Sequence, residues 1–178
     1  VLKSSVTLKI LDSIPNIVLL LNSTRQIVFA NKAIYQYSNI ESNSTIIGFR
    51  IGELLQCIHS QENIYGCGNS ENCKTCGSLL AIISTINKNK QATKECRIYN
   101  ERNKEAFDFR VHTSNIEIDN NKFVVFTLNE INDEKRRKIL ERIFFHDISN
   151  TAAGFSNIAE LFDMELPEEY NTYKKYLK

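Results

Sequence analysis

Apolar positions in this chain follow two different periods, and the switches between them mark out its elements. Leu8 to Ile14 is a short amphipathic segment closed by Pro15, which disfavours helix in the residue before it. Asn16 to Asn22 is an apolar run between polar ends, the pattern of a buried strand. Ser23-Thr24-Arg25 predicts a tight turn and Gln26 to Ala30 a second strand, so the two form a hairpin. Asn31, a good N-cap, opens a helical stretch from Lys32 to Tyr37. Asn39 to Ile47 is polar and loop-like. Gly48 to His59 regains helical character, with Ile51, Leu54, Leu55 and Ile58 on one face. Ser78 to Asn87 predicts a helix with Leu79, Ile82, Ile83 and Ile86 at helical spacing.

The period then shortens. Ala92 to Tyr99 predicts a strand, followed by a polar turn at Asn100 to Lys104. Phe107, Phe109 and Val111 alternate with Asp108, Arg110 and His112, the pattern of a half-buried strand. Asp119-Asn120-Asn121 turns the chain, and Phe123 to Leu128 returns as the last strand. Two strands, several helices and three strands predict an α+β fold: one antiparallel five-stranded sheet with helices on one face. Cys96 is expected in the strand core and His112 on the solvated side.

From about Asn132 to Met164 the pattern is helical throughout. Ile139, Ile143, Ile148, Ala152, Phe155 and Ala159 recur at steps of three to five, and no breaker interrupts the charged connector Asn129 to Lys138. A helix of roughly 33 residues is about 50 Å long. A small domain cannot bury such an element, so a partner is expected, most simply a second copy in a homodimer. Pro167 ends the helix or marks a turn, and Glu168 to Lys178 is expected to start a return helix.

Composition narrows the class. The 178 residues allow one globular domain with an appendage, or two small domains. A net charge of +1 gives no reason to invoke a nucleic-acid partner. The apolar runs fall far short of the roughly 20 residues of a membrane span, and the first residues lack the pattern of a signal peptide. A cytoplasmic segment without membrane contact is expected. Because the chain opens at Val1 rather than Met, it is expected to be part of a longer protein.

Four of the five cysteines crowd one loop: Cys57-x-His59, Gly66-Cys67-Gly68 and Cys73-x-x-Cys76-Gly77. A disulfide-stapled secreted domain would be smaller and spread its cysteines more widely. Cys-x-x-Cys lets two thiolates chelate one ion from a single turn, and the flanking glycines tolerate positive φ. Cys57 and Cys67 complete a tetrahedral set with Cys73 and Cys76, with His59 as alternate ligand. Zinc is the first expectation and an iron–sulfur cluster the alternative. A metal-free redox dithiol at Cys73 and Cys76, or small buried thiols filling a core, remain open. Zinc would make the loop a structural staple; a cluster or reversible disulfide would make it a sensor of oxygen or redox state.

Chemistry of another kind lies in the long helix, at Phe144-Phe145-His146-Asp147-Ile148-Ser149-Asn150-Thr151. Histidine offers a neutral nitrogen nucleophile near pH 7. An adjacent acid can hold the proton of its other nitrogen and orient the ring. Asn150 falls one turn on, on the same face as His146. The plain alternative is a solvent-exposed histidine on a polar helix face.

The first 130 residues resemble a PAS domain in their opening hairpin, in Phe29-Ala30-Asn31-Lys32-Ala33, in Gly48 before the next helix, and in the three closing strands. The His146 segment resembles the dimerisation and phospho-acceptor helix of a bacterial sensor histidine kinase: a histidine, an acid at the next position and Asn four residues on. Thr151 stands where that family often has proline. The resemblance implies a PAS-like sensor over residues 1–130. It implies a connector with the first, incomplete part of a phospho-acceptor domain over 131–178. His146 would be phospho-acceptor and donor, Asp147 base or orienter, and Asn150 a water-positioner in dephosphorylation. The implied partners are a second copy and a response-regulator receiver domain. The parent would be a protein-histidine kinase, yet Gly66-Cys67-Gly68 is the one Gly-x-Gly here and no nucleotide-binding loop is visible. No ATP site is expected in this chain, and so no autophosphorylation. The rival expectation is a non-enzymatic PAS redox or metal-binding dimerisation module with His146 incidental.

Overall fold

The computed structural model describes residues 5–38 and 46–165. Most of the polar stretch 39–47, the end of the chain with Pro167, and the expected return helix lie outside the described residues. The chain divides into two compact units, residues 1–132 and 133–178.

The first unit is built on five strands: β1 (Ile17–Leu21), β2 (Ile27–Ala30), β3 (Ala92–Asn100), β4 (Glu105–Ile118) and β5 (Asn121–Glu130). They form one sheet in the order β2-β1-β5-β4-β3, antiparallel throughout. The β1–β2 hairpin forms as its pattern predicts. Its turn is closed by Asn22, whose Oδ1 accepts the backbone N–H groups of Thr24 and Gln26. α1 (Ser5–Ser13) precedes β1, and α2 (Tyr35–Ser38), α3 (Ile51–Leu54) and α4 (Gly77–Lys88) lie between β2 and β3.

Alternation places Phe109, Val111 and Thr113 of β4 beside Val124, Phe126 and Leu128 of β5 on the buried face. Burying each large apolar side chain contributes about 1.5–3 kcal/mol. Tyr37 packs edge-on against Phe107 and Phe109. Burial, with a hydrogen bond to Glu130, pushes its hydroxyl up to about 12. As expected, Cys96 is buried and His112 is exposed, its Nδ1 2.9 Å from Thr93 Oγ1.

Three local expectations change. Asn31 stands at the N-cap position of the 3-10 turn Lys32–Ile34 but makes no side-chain cap. It is fully buried instead. Its Oδ1 accepts the Val18 N–H at 2.9 Å, and its amide reaches the carbonyls of Leu11, Ile14 and Asn16 at 2.9–3.2 Å. A buried amide with four partners organises more backbone than a cap would.

The helix expected from Gly48 to His59 is cut to Ile51–Leu54. Gln56 takes φ 53°, its N–H returns to Glu53 O, and the Cys57 N–H reaches Gly52 O at 2.7 Å. That is a Schellman ending with a non-glycine residue in the left-handed position. Ile58 consequently leaves the buried face and is exposed.

The third change is in α4, which turns Gly77, Ser78, Ala81, Ile82 and Thr85 inward and leaves Ile83 and Ile86 exposed. Small residues win there because the helix lies close on the sheet, with Thr85 Oγ1 2.7 Å from Thr113 Oγ1.

From its second residue on, α5 (Asn132–Glu165), 34 residues and about 50 Å long, belongs to the second unit. Asp133 and Glu134 in its first turn suit the positive end of the helix dipole. Lys138–Glu134 and Arg137–Glu141 are exposed pairs one turn apart, each contributing about 0.3–0.5 kcal/mol. Among the described residues no helix is long and apolar enough to cross a membrane.

Candidate functional site

The cysteine loop folds around a cavity of about 340 Å³ in the first unit, lined by Cys57, Cys67, Cys73, Cys76 and Cys96. Each comes from a different backbone device. The Schellman ending of α3 delivers Cys57, which then pairs with Asn100 in an isolated β-bridge. Gly66 and Gly68, both at positive φ, swing the chain through Cys67. The Cys67 sulfur lies over Gly52, where an added Cβ would stand 2.6 Å from it and 3.5 Å from the Cys57 Cβ. Cys73 sits in the 3-10 turn Glu71–Thr75 and accepts a hydrogen bond from Ser70 Oγ at 3.4 Å. Cys76 closes that turn on the Cys73 carbonyl and is the N-cap residue of α4, at the helix end that favours negative charge.

Burial raises the Cys57 thiol, and pushes those of Cys67 and Cys96 up to about 12. The neighbouring thiols add to each shift. Among the described residues no three histidine, cysteine, aspartate or glutamate side chains converge closely enough to hold a single metal ion. His59 also lines the cavity, but its Nδ1 is engaged by Glu62. Hydrogen bonds from His59, Asn72 and Ser70 hold the Glu62 carboxyl down at about 2.

Two cations on this cavity escaped the sequence reading. Arg50 donates to the carbonyls of Tyr65 and Cys67, and Arg25 to that of Gly68 at 3.4 Å. Burial, then the Arg50 charge, lowers the Arg25 pKa. Arg25 precedes Cys57 by 32 residues and Arg50 precedes Cys67, whose carbonyl it meets, by 17, so only the folded loop links them.

The second site lies on α5. His146 and Asp147 are 71% and 70% exposed, with His146 Nδ1 3.2 Å from Asp147 Oδ1. The Asn150 amide nitrogen is 3.2 Å from Nδ1 and 3.3 Å from Nε2. The lone pair of one ring nitrogen and the N–H of the other diverge in the ring plane, so one atom near both nitrogens sits against the ring rather than in line with either. Thr151 Oγ1 donates to the Asp147 carbonyl at 2.8 Å, a back-bond of the kind that bends helices slightly. Proline at this position would clash with the same carbonyl. Phe144, Ile148, Thr151, Ala152 and Phe155 line a shallow groove beside Asp147. The large apolar side chains of α5 from Ile139 to Leu161 are 49–68% exposed.

No family model matches the chain, and no curated protein matches it. Solved structures do. The PAS domain of nitrogen regulation protein NR(II) from Vibrio parahaemolyticus matches at TM-score 0.53 and 13% identity, over 72% of this chain and 100% of that one. An RNA-binding light-oxygen-voltage receptor matches at TM-score 0.55 and 12% identity, over 82% of this chain and 38% of that one. The PAS domain of an HTR-like protein from Haloarcula marismortui matches at TM-score 0.50 and 11% identity, over 72% and 91%. The sheet and its helices therefore have the PAS fold.

Proposed function

We propose that this chain is the sensory and phospho-acceptor segment of a two-component sensor histidine kinase, in which a signal received by the PAS-fold unit controls phosphorylation of His146. The observation that carries the reading is the exposed cluster on α5: His146, with Asp147 Oδ1 3.2 Å from Nδ1 and the Asn150 amide against the ring.

An Nδ1–H donated to the Asp147 carboxylate leaves Nε2 with its lone pair free to attack. A phosphorus–nitrogen bond forms there as the bond from the γ-phosphorus of ATP to its bridging oxygen breaks, and ADP leaves with the electron pair. The ring keeps its Nδ1 proton and gains positive charge, which Asp147 stabilises. The kinase domain that binds ATP is supplied from outside this segment. The phosphoryl group then passes to an aspartate of a response-regulator receiver domain. A homodimer through the exposed apolar face of α5 is part of this reading, and zinc or an iron–sulfur cluster in the cysteine cavity its candidate cofactor. Signal transmission runs through the connector 129–138, whose first two residues end β5 and whose residues from 132 open α5, and it shifts the helical pair around His146 between two arrangements.

Phosphoramidate, which phosphorylates accessible histidines without an enzyme, tests the activation. His146 should react about tenfold or more faster than His112, whose Nδ1 meets the Thr93 hydroxyl rather than a carboxylate, as read by mass spectrometry. Asp147→Asn should slow that reaction and His146→Gln abolish it, while ATP alone should label nothing. Equal rates at His146 and His112 would overturn the reading. The cavity favours a rival, a non-enzymatic redox or metal-binding dimerisation module, and equal rates would leave that rival standing.

A further inference from the structure

We infer that the cavity ringed by Cys57, Cys67, Cys73 and Cys76 is the binding site of a four-iron iron–sulfur cluster rather than of a single zinc ion. The argument begins with size. A cavity of about 340 Å³ has room for about ten water-sized groups at roughly 30 Å³ each. A lone ion would fill a small fraction of it, whereas an eight-atom iron–sulfide core with its thiolate ligands is of that scale.

Donor spacing counts against a single ion. Zinc at about 2.3 Å from each sulfur draws four thiolates to within about 4 Å of one another. These cysteines line one cavity, yet no three metal-binding side chains converge on a common point among the described residues. In a cluster each cysteine binds a different iron, so the sulfurs stand farther apart, around a core rather than around a point. Gly52 contributes by leaving the Cys67 sulfur room beside Cys57.

Charge is the third argument. Four thiolates around an oxidised four-iron core leave two net negative charges, and a buried charge must be compensated. Arg25 and Arg50 line the same cavity, tied to its loop through the carbonyls of Gly68, Tyr65 and Cys67. Glu53, whose Oε1 accepts the Cys67 N–H, brings one negative charge to the same loop, fewer than the two cations. The remaining candidates are set aside by their contacts. His59 is held by Glu62. Cys96, buried on β3 against the start of α4, serves as wall.

The inference rests on the proposed function only for its consequence, a sensor responsive to oxygen or redox state; the site stands on the cavity alone. The whole chain, purified without oxygen and supplied with ferrous iron and sulfide, should hold about four irons and four acid-labile sulfides and absorb near about 400 nm. Cys73→Ser and Cys76→Ser should lose most of that absorbance, while Cys96→Ala and His59→Ala keep it. About one zinc per chain with no colour, or no iron retained after reconstitution, would overturn the inference. If the serine variants fail to fold by circular dichroism, the iron and sulfide content of the unaltered chain still decides it. None of these readings involves phosphate, so failure here leaves His146 untouched, and failure at His146 leaves the cluster.

Discussion

Cys67 and His146 are both candidate bearers of chemistry, and the chain surrounds them in opposite ways. Cys67 reaches its cavity through a glycine-flanked loop, a carboxylate on its N–H and an arginine on its carbonyl, and burial pushes its thiol up to about 12. His146 stands on one helix, 71% exposed, with partners only one and four residues away. The difference separates two kinds of function. A half-buried site assembled from segments far apart in sequence suits a group that is bound once and held. A site written into one turn of an exposed helix suits a group that must meet two large partners in succession. The cost differs too: damage to the first site should unfold its surroundings, and damage to the second should leave the fold alone.

Asparagine offers the sharpest test of that contrast, because the same residue type serves both units. Asn31→Ala removes the amide that joins α1 and β1 to the end of β2 and strands the Val18 N–H and the carbonyls of Ile14 and Asn16, while the Leu11 carbonyl keeps the Ile14 N–H. Each buried group left unpaired costs about 1–3 kcal/mol, so urea unfolding should show a loss of about 3 kcal/mol or more. A loss under about 1 kcal/mol would mean that water replaces the amide.

Next in size is Gly77→Ala, whose Cβ would fall on the Glu95 carbonyl oxygen. Backbone on both sides leaves nothing flexible to yield, so overpacking should cost about 1–3 kcal/mol and move Cys76, the preceding residue, away from the cavity. Unaltered stability together with unaltered metal uptake would break the link between the α4 contact and the site.

The two units also differ in how legible they are. Strand positions were readable because β4 and β5 each bury one face, and a period of two survives in residues such as Phe109, Val111, Phe126 and Leu128. The buried face of α4 was not, because apolar Ile83 and Ile86 fit the helical period while the sheet accepts only the smaller Ala81 and Thr85 beside Ile82. Helix length after Gly48 was misjudged because Gln56 carries no signal for the left-handed conformation it adopts. Asn31 could be seen but not understood: a cap and a buried network draw on the same amide. In the cysteine loop the thiols were visible as a cluster, while Arg25 was invisible because its distance in sequence hides its closeness in space, and Glu62 was passed over because nothing in its spacing from His59 and Asn72 marks the bonds it accepts. The α5 cluster lies within five residues of sequence, so helical spacing alone brings its members together.

Acid should loosen the loop before the core. The Glu62 carboxyl is lowered from 4.5 to about 2 by hydrogen bonds from His59, Asn72 and Ser70. A depressed carboxylate supports the folded loop fully above pH 4.5, and that support fades as pH falls from 4.5 toward 2. Amide exchange at Gln61 to Ser70 should therefore quicken across that window while β4 and β5 stay protected, and Glu62→Gln should flatten the change. Because the group lies at the surface, added salt should shrink the effect. An acid transition shared equally by loop and sheet would mean that the loop has no separate stability.

The smallest effect on the fold is expected from Asn150→Ala, the counterpart of Asn31→Ala in the other unit. The Asn150 amide contacts only the His146 ring among the contacts described, and both side chains face water. Unfolding free energy should change by no more than about 0.5 kcal/mol. Function then separates two uses of the amide. If it positions water, the alanine variant should accept phosphate at His146 as fast as the unaltered chain but lose it, or strip it from a receiver domain, several-fold more slowly. If the amide instead holds the ring, the first rate should fall and the second should not. Only the first outcome fits a side chain placed against the ring between its two nitrogens, since Nδ1 already has Asp147 to orient it. A fall in phosphate acceptance with dephosphorylation unchanged would therefore assign Asn150 to the same task as Asp147 and remove the water-positioning role.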